Sequence, residues 1–294
     1  MITRRRFTMT MFGGAIAGIA SQAFGAQAAA PAGALENELA AIEAQAGGRL
    51  GVAMLDTANG QTRGWRMHER FPMCSTFKLL LASAVLTRKD RGKEDLARKV
   101  VYTQAQVVSY SPLSGPRAGG EGMTVAELCE AALTRSDNTA ANLLLESIGG
   151  PPALTAFARG IGDPLTRLDR NETTLNEAIP GDPRDTTTPA AMLADMRALL
   201  LGERLSAGSR EQLIAWLVAN KTGDARLRAG LPKDWRVGDK TGTGDRGTAN
   251  DIAIIWPAGR APLLVTTYLT GATHASPAQR DAAIAKVGAW VAKI

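Results

Sequence analysis

Strand-like segments stand at both ends of this chain and a long helical stretch separates them, and this order constrains the fold more than any other feature. Near the N-terminus, Leu35, Leu39 and Ile42 recur at helical spacing until Gly47-Gly48 ends the run. Arg49–Asp56 then reads as a strand, Thr57–Gly60 as a turn and Gln61–Met67 as the hairpin partner. The middle is helical in pattern, most clearly at Thr76–Arg88, Thr124–Arg135, Thr139–Ile148, Pro189–Leu201 and Ser209–Asn220. Strand-like stretches return at Trp235–Lys240, Ala249–Trp256 and Leu263–Thr270, and a last helix opens with Ser276 as N-cap and Pro277 at its first position. Two strands from one end and three from the other can complete one antiparallel sheet. The expected architecture is α/β in the α+β sense: a five-stranded antiparallel sheet flanked by helices, plus an all-helical domain. Residues 29–67 and 221–294 would form the α/β domain and residues 68–220 the helical one. A length of 294 residues suits two such parts on a shared core. One irregular stretch, Arg167 to Thr187, is too long to be an idle connection and is expected to be functional.

Residues 1–28 read as a leader rather than as folded structure. Arg4, Arg5 and Arg6 precede an apolar run from Phe7 to Phe24, and Ala26-Gln27-Ala28 follows as a cleavage site of the A-x-A kind. Thr3-Arg4-Arg5-Arg6-Phe7 suits a twin-arginine export signal. The alternative is an uncleaved anchor, which so short a Gly- and Ala-rich run serves poorly. Export to the periplasm or the medium is expected, without stable membrane association. The net charge is +6, and a leader with three arginines and no acid leaves +3, too little to argue for nucleic acid. The only cysteines are Cys74 and Cys129 and the only histidines His68 and His274. Two thiols make no disulfide framework, although they could pair in an exported protein. That donor set cannot assemble a zinc site, so metal catalysis is not expected.

Three short motifs carry chemistry. In Ser75-Thr76-Phe77-Lys78, a serine at a helix start places the lysine one turn on and on the same face. A desolvated lysine can take a serine proton, and the helix N-terminus offers donors to an oxyanion. In Ser136-Asp137-Asn138, a second hydroxyl can relay a proton while the Asn138 amide orients Lys78 and holds a substrate amide. In Lys240-Thr241-Gly242, at the end of a strand and followed by Thr243-Gly244, an open edge can pair with a substrate amide. Gly242 permits close approach and Lys240 attracts a carboxylate. Taken singly, each motif is equally at home as an N-cap, a polar loop or a turn.

Together and in this order, S-x-x-K, S-D-N and K-T-G resemble the signature of class A β-lactamases and penicillin-binding proteins. Phe71-Pro72-Met73-Cys74-Ser75-Thr76, Val237-Gly238-Asp239-Lys240-Thr241-Gly242-Thr243-Gly244 and Asn250-Asp251-Ile252-Ala253-Ile254-Ile255-Trp256-Pro257 resemble the class A branch that includes cefotaxime-hydrolysing enzymes. Arg170-Asn171-Glu172-Thr173-Thr174-Leu175-Asn176 is similar to the class A omega loop, here residues 167–185. That segment separates a hydrolase from a penicillin-binding protein that stays acylated.

The resemblance implies a serine β-lactamase that needs no cofactor, acts on small β-lactams and is a monomer. Ser75 would be the nucleophile, Ser136 the proton relay to the leaving nitrogen, and Glu172 the base for deacylation, with Asn176 holding the water. Lys78 or Glu172 would activate Ser75, a point left open by the motifs. Arg170 and Asp185 would bridge the base of the loop. Tyr110, Asn138, Asn176, Arg226, Lys240, Thr241, Gly242 and Thr243 would bind substrate, and the backbone N–H groups of Ser75 and Thr243 would hold the oxyanion. Three departures stand out. Ala249 occupies a position where many relatives have arginine, for which Arg226 is the substitute. Thr173 stands where proline is common, after a peptide that is often cis. Cys129 lacks its usual partner because Ala82 is there, so both thiols are expected to be free and buried. The rivals are a D,D-peptidase and a penicilloyl-binding sensor.

Overall fold

The computed structural model describes residues 32–294, apart from Met1, with side chains from Glu36 onward. The leader and its cleavage site lie outside the described residues. Helix α1 covers Ala32–Ala46 and leads into strand β1, Arg49–Asp56, whose hairpin partner is β2, Thr62–Trp65. The C-terminal strands are β3, Arg236–Gly244, β4, Thr248–Trp256, and β5, Leu263–Thr270. They assemble in the order β2-β1-β5-β4-β3 with every pair antiparallel, so β1 sits beside β5 and the two ends of the chain make one sheet.

Period-two alternation decides what each face of the sheet touches. Leu50, Val52 and Met54 of β1, with Ala253 and Ile255 of β4, pack against Leu39 and Ile42 of α1 and the last helix. Ala53, Leu55, Ile252 and Ile254 turn the other way, into the helical body. The last helix is capped as its sequence demands: the Ser276 side chain accepts from Gln279 N, Gln279 answers in a capping box, and Pro277 stands at the first position.

The helical body comprises α2, Phe77–Asp90, α3, Val125–Thr134, α4, Asn138–Ile148, α5, Gly150–Ile161, α6, Pro189–Leu200, and α7, Ala207–Val218. Helix α2 is buried on all sides from Phe77 to Leu86, which is why Lys78 lies in the interior. Helix α5 falls within the stretch expected to be helical but is not one of its clearest segments. Prolines in a first turn lose no hydrogen bond, and the helix begins at Gly150-Pro151-Pro152. Helix α8, Leu227–Gly230, is a single turn, and α9 spans Pro277–Val291.

The long irregular stretch is held by buried charge. Arg170 Nε meets Asp185 Oδ2 at 2.6 Å, while Asp185 Oδ1 accepts from Asp169 N and Arg170 N. Arg170 also reaches Glu177 at 2.5 Å, and Phe71–Pro72 pairs with Thr186–Thr187 where the loop closes. Cys74 and Cys129 are both free and buried, as expected. Among the described residues no helix is long and apolar enough to cross a membrane.

Candidate active site

Every expected site residue gathers around one cleft. Ser75, Tyr110, Ser136, Asn138, Asn176, Arg226, Thr241, Gly242 and Thr243 line a cavity of about 520 Å³, joined by Lys221 and Thr222, which carried no motif. Lys78, Lys240 and Glu172 lie beneath its floor, each buried. Ser75 belongs to a short 3₁₀ turn, Cys74–Thr76, that runs straight into α2, so Lys78 follows one turn later.

The buried groups satisfy one another. Ser75 Oγ donates to Glu172 Oε1 at 3.1 Å, and Lys78 Nζ lies 3.0 Å from the same oxygen. The other strong contacts of Nζ are the Ser136 carbonyl at 2.8 Å and Asn138 Oδ1 at 2.7 Å. Three acceptors for three N–H groups are what an ammonium requires. Burial draws the Lys78 pKa down, and the facing Glu172 charge opposes that pull. Glu172 Oε2 accepts from Asn176 Nδ2 at 2.6 Å. Its backbone is clamped by one side chain on α4: Asn142 Oδ1 accepts from Glu172 N at 2.9 Å, and Asn142 Nδ2 donates to Glu172 O at 2.8 Å. The Glu172–Thr173 peptide is cis.

Ser136 is held in the left-handed region, φ 57°, and its hydroxyl accepts from Lys240 Nζ at 3.1 Å. Burial, and then the charge of Lys78, lower the pKa of Lys240. Asp137 caps α4 through Ala140 N and also binds Ser114, and Asn138 Nδ2 donates to Ser109 O. These contacts fix the loop that presents Tyr110, which is 61% exposed at the cleft mouth.

The opposite wall is β3, an edge strand of the sheet. It runs on through Gly244, so Lys240-Thr241-Gly242 lies within the strand rather than at its end. Packing requires the two glycines of this extension. A Cβ at Gly242 would stand 2.8 Å from Met73 O, and one at Gly244 would stand 2.6 Å from Cys74 Sγ and 2.8 Å from Asn176 O. Arg226 lies behind this strand. Its Nε pairs with Asp281 at 2.8 Å, Nη1 donates to the carbonyls of Gly242 and Asn250, and Nη2 donates to Thr243 Oγ1 at 2.8 Å. The Thr243 hydroxyl, having accepted that bond, keeps its own proton for the cleft. Asn142, which the motifs did not single out, acts on the site through the backbone of Glu172.

A family model described as the β-lactamase enzyme family matches residues 34–294. β-Lactamase CTX-M-8 of Citrobacter amalonaticus is 52% identical over 260 residues, which is 88% of this chain and 89% of that protein. β-Lactamase Toho-1 of Escherichia coli is 50% identical over the same shares. Among solved structures, an ancestral (GNCA) class A β-lactamase is similar with a TM-score of 0.86 at 66% identity, covering 87% of this chain and 98% of its own. With fold, cleft and relatives in agreement, the chain belongs to the β-lactamase enzyme family and is a class A serine β-lactamase.

Proposed function

We propose that Ser75 is the nucleophile and Glu172 its proton acceptor in acylation as well as the base for deacylation. The observation that carries this is the direct Ser75 Oγ to Glu172 Oε1 contact at 3.1 Å, with the Lys78 ammonium on the same oxygen. Lys78 Nζ, anchored on the Ser136 carbonyl and Asn138 Oδ1, lies on the same carboxylate oxygen and holds Glu172 against the nucleophile. The β-lactam carboxylate docks against Thr241, the Thr243 hydroxyl and the charges of Lys240 and Arg226. Arg226 acts chiefly through Thr243, whose hydroxyl it orients. Ser75 attacks the ring carbonyl while the N–H groups of Ser75 and Thr243 bind the oxyanion. Ser136 then gives its proton to the ring nitrogen as the C–N bond breaks, with Lys240 beside it. Lys78 Nζ, between Glu172 Oε1 and Ser136 Oγ, passes the proton taken from Ser75 on to Ser136, so that Glu172 is again a free base. Asn138 holds the substrate side-chain amide, Gly242 lets the ring lie against the strand, and Tyr110 walls the entrance. A water held by Glu172 and Asn176 attacks the ester and Glu172 takes its proton; as the C–O bond to Ser75 breaks, Glu172 returns that proton to Ser75 Oγ and the enzyme is regenerated.

This scheme extends the substrate range from penicillins to cephalosporins and carbapenems through Thr243 and Arg226. Residues 29–67 with 221–294 serve as one lobe and residues 68–220 as the other, with Ser75 and β3 meeting at their seam. Residues 1–28 direct twin-arginine export to the periplasm or medium, where the mature chain acts as a monomer and confers resistance. Mixing the protein with excess chromogenic cephalosporin tests the scheme: steady turnover is expected, whereas one stoichiometric burst would mark a penicilloyl sensor or a D,D-peptidase.

A further inference from the structure

Behind the 167–185 loop lies a second cavity of about 390 Å³, which shares no lining residue with the catalytic cleft. Its walls are apolar where the loop passes: Ala178, Ile179, Pro180 and Pro183 face Pro72. Ile179 is 38% exposed there, although a side chain of this kind is ordinarily covered.

Three arginines ring these walls, and two of them have no ion pair among the described residues. Arg49 is paired with Glu69 at 2.9 Å. Arg70 donates only to neutral oxygens, Leu165 O at 2.9 Å and Thr186 Oγ1 at 3.0 Å. Arg246 is exposed and forms no ion pair among the described residues. The one lining acid, Asp182, is already gripped by Arg184 at 2.6 Å. Apolar walls with unneutralised guanidinium groups select an apolar body carrying one negative group. A neutral apolar molecule would leave the charges unanswered, and a bare inorganic anion would leave the prolines and Ile179 uncovered.

We propose that this cavity is a binding site for a small amphipathic monoanion, an aromatic carboxylate or sulfonate, separate from the β-lactam cleft. Its position gives it a route to the cleft. Asp245, the neighbour of Arg246, donates its backbone N–H to Asn176 O at 2.9 Å, and Asn176 holds Glu172.

The test titrates naphthalene-2-sulfonate into the protein after Ser75 has been blocked with a covalent boronate, following the amide resonances of Ile179, Gly181, Arg246 and Gly271. Saturable shifts at those amides are expected with the cleft blocked, with a smaller shift at Asn176. Uncharged naphthalene-2-sulfonamide should bind at least about 5-fold more weakly. Arg246→Ala removes an exposed side chain outside the catalytic machinery, so it should weaken the sulfonate similarly and leave hydrolysis unchanged. Shifts confined to the cleft and abolished by the boronate, equal affinity for the two probes, or no saturation by about 10 mM would each overturn the proposal.

Discussion

The two walls of the cleft solve different problems with different materials. The helical wall is made of side chains: Ser75, Lys78, Ser136, Asn138 and Glu172 are buried, and each is paired with another. The strand wall is made of backbone, with glycines where the nucleophile's loop approaches and a guanidinium that works from behind. A buried, mutually satisfied cluster is where removal of one member leaves a charge without its partner, whereas a strand edge loses its contacts one at a time. The helical wall should therefore be brittle and the strand wall graded.

Lys78→Ala is the largest expected break, because it leaves Glu172 buried without its counter-ion. A fall in kcat/KM of about 10³-fold or more is expected, checked with a chromogenic cephalosporin. Asn142→Ala sharpens the same contrast without touching a charge. It releases both backbone groups of Glu172, so kcat should fall about 10²-fold with accumulation of acyl-enzyme, while kcat/KM falls less. Parent-like kcat and kcat/KM with only a lower unfolding midpoint would place Asn142 in general stability rather than in positioning. On the strand wall, Arg226→Ala should raise KM about 10-fold for cephalosporins and carbapenems, with a smaller change in kcat. Unchanged efficiency across penicillin, cephalosporin and carbapenem would remove Arg226 from carboxylate recognition.

The smallest effect on turnover is expected far from both walls. Asp195 is pushed up to about 9, first by burial and then by the Asp163 carboxyl beside it. The folded chain therefore keeps a proton that the unfolded chain gives up near 3.8. Stability is fully present below that pH and is lost as pH rises towards 9, by up to about 1.4 kcal/mol per unit. Asp195→Asn should flatten that slope in urea unfolding and leave activity within about 2-fold. A slope unchanged by the substitution would assign the loss to another group.

What could be read from the sequence follows the same division. Strands and amphipathic helices betray themselves by period, so β1 and β5 begin and end where the pattern says. The side chains of the helical wall sit in short motifs whose spacing matches one helical turn or one cap, and all were legible. Asn142 was not, because a single asparagine on a helix carries no pattern, and its role exists only once Glu172 is folded against it. Helix α5 was masked by glycines and prolines that punctuate loops more often than they start helices. Gly242 and Gly244 interrupted the strand pattern because their reason, Met73 O and the Cys74 thiol, comes from a distant part of the chain. Asp163, just past the end of α5, meets Asp195 on α6, a contact no local window contains.

The central claim is that a carboxylate within reach of the nucleophile also drives release of the acyl group. Intact mass spectrometry of Glu172→Ala after mixing with a penicillin measures this directly. An adduct of one penicilloyl group per chain that forms more slowly than the parent is acylated but then persists, with turnover nearly abolished, is the result expected. Turnover at the parent rate with no adduct above the parent's level would contradict it.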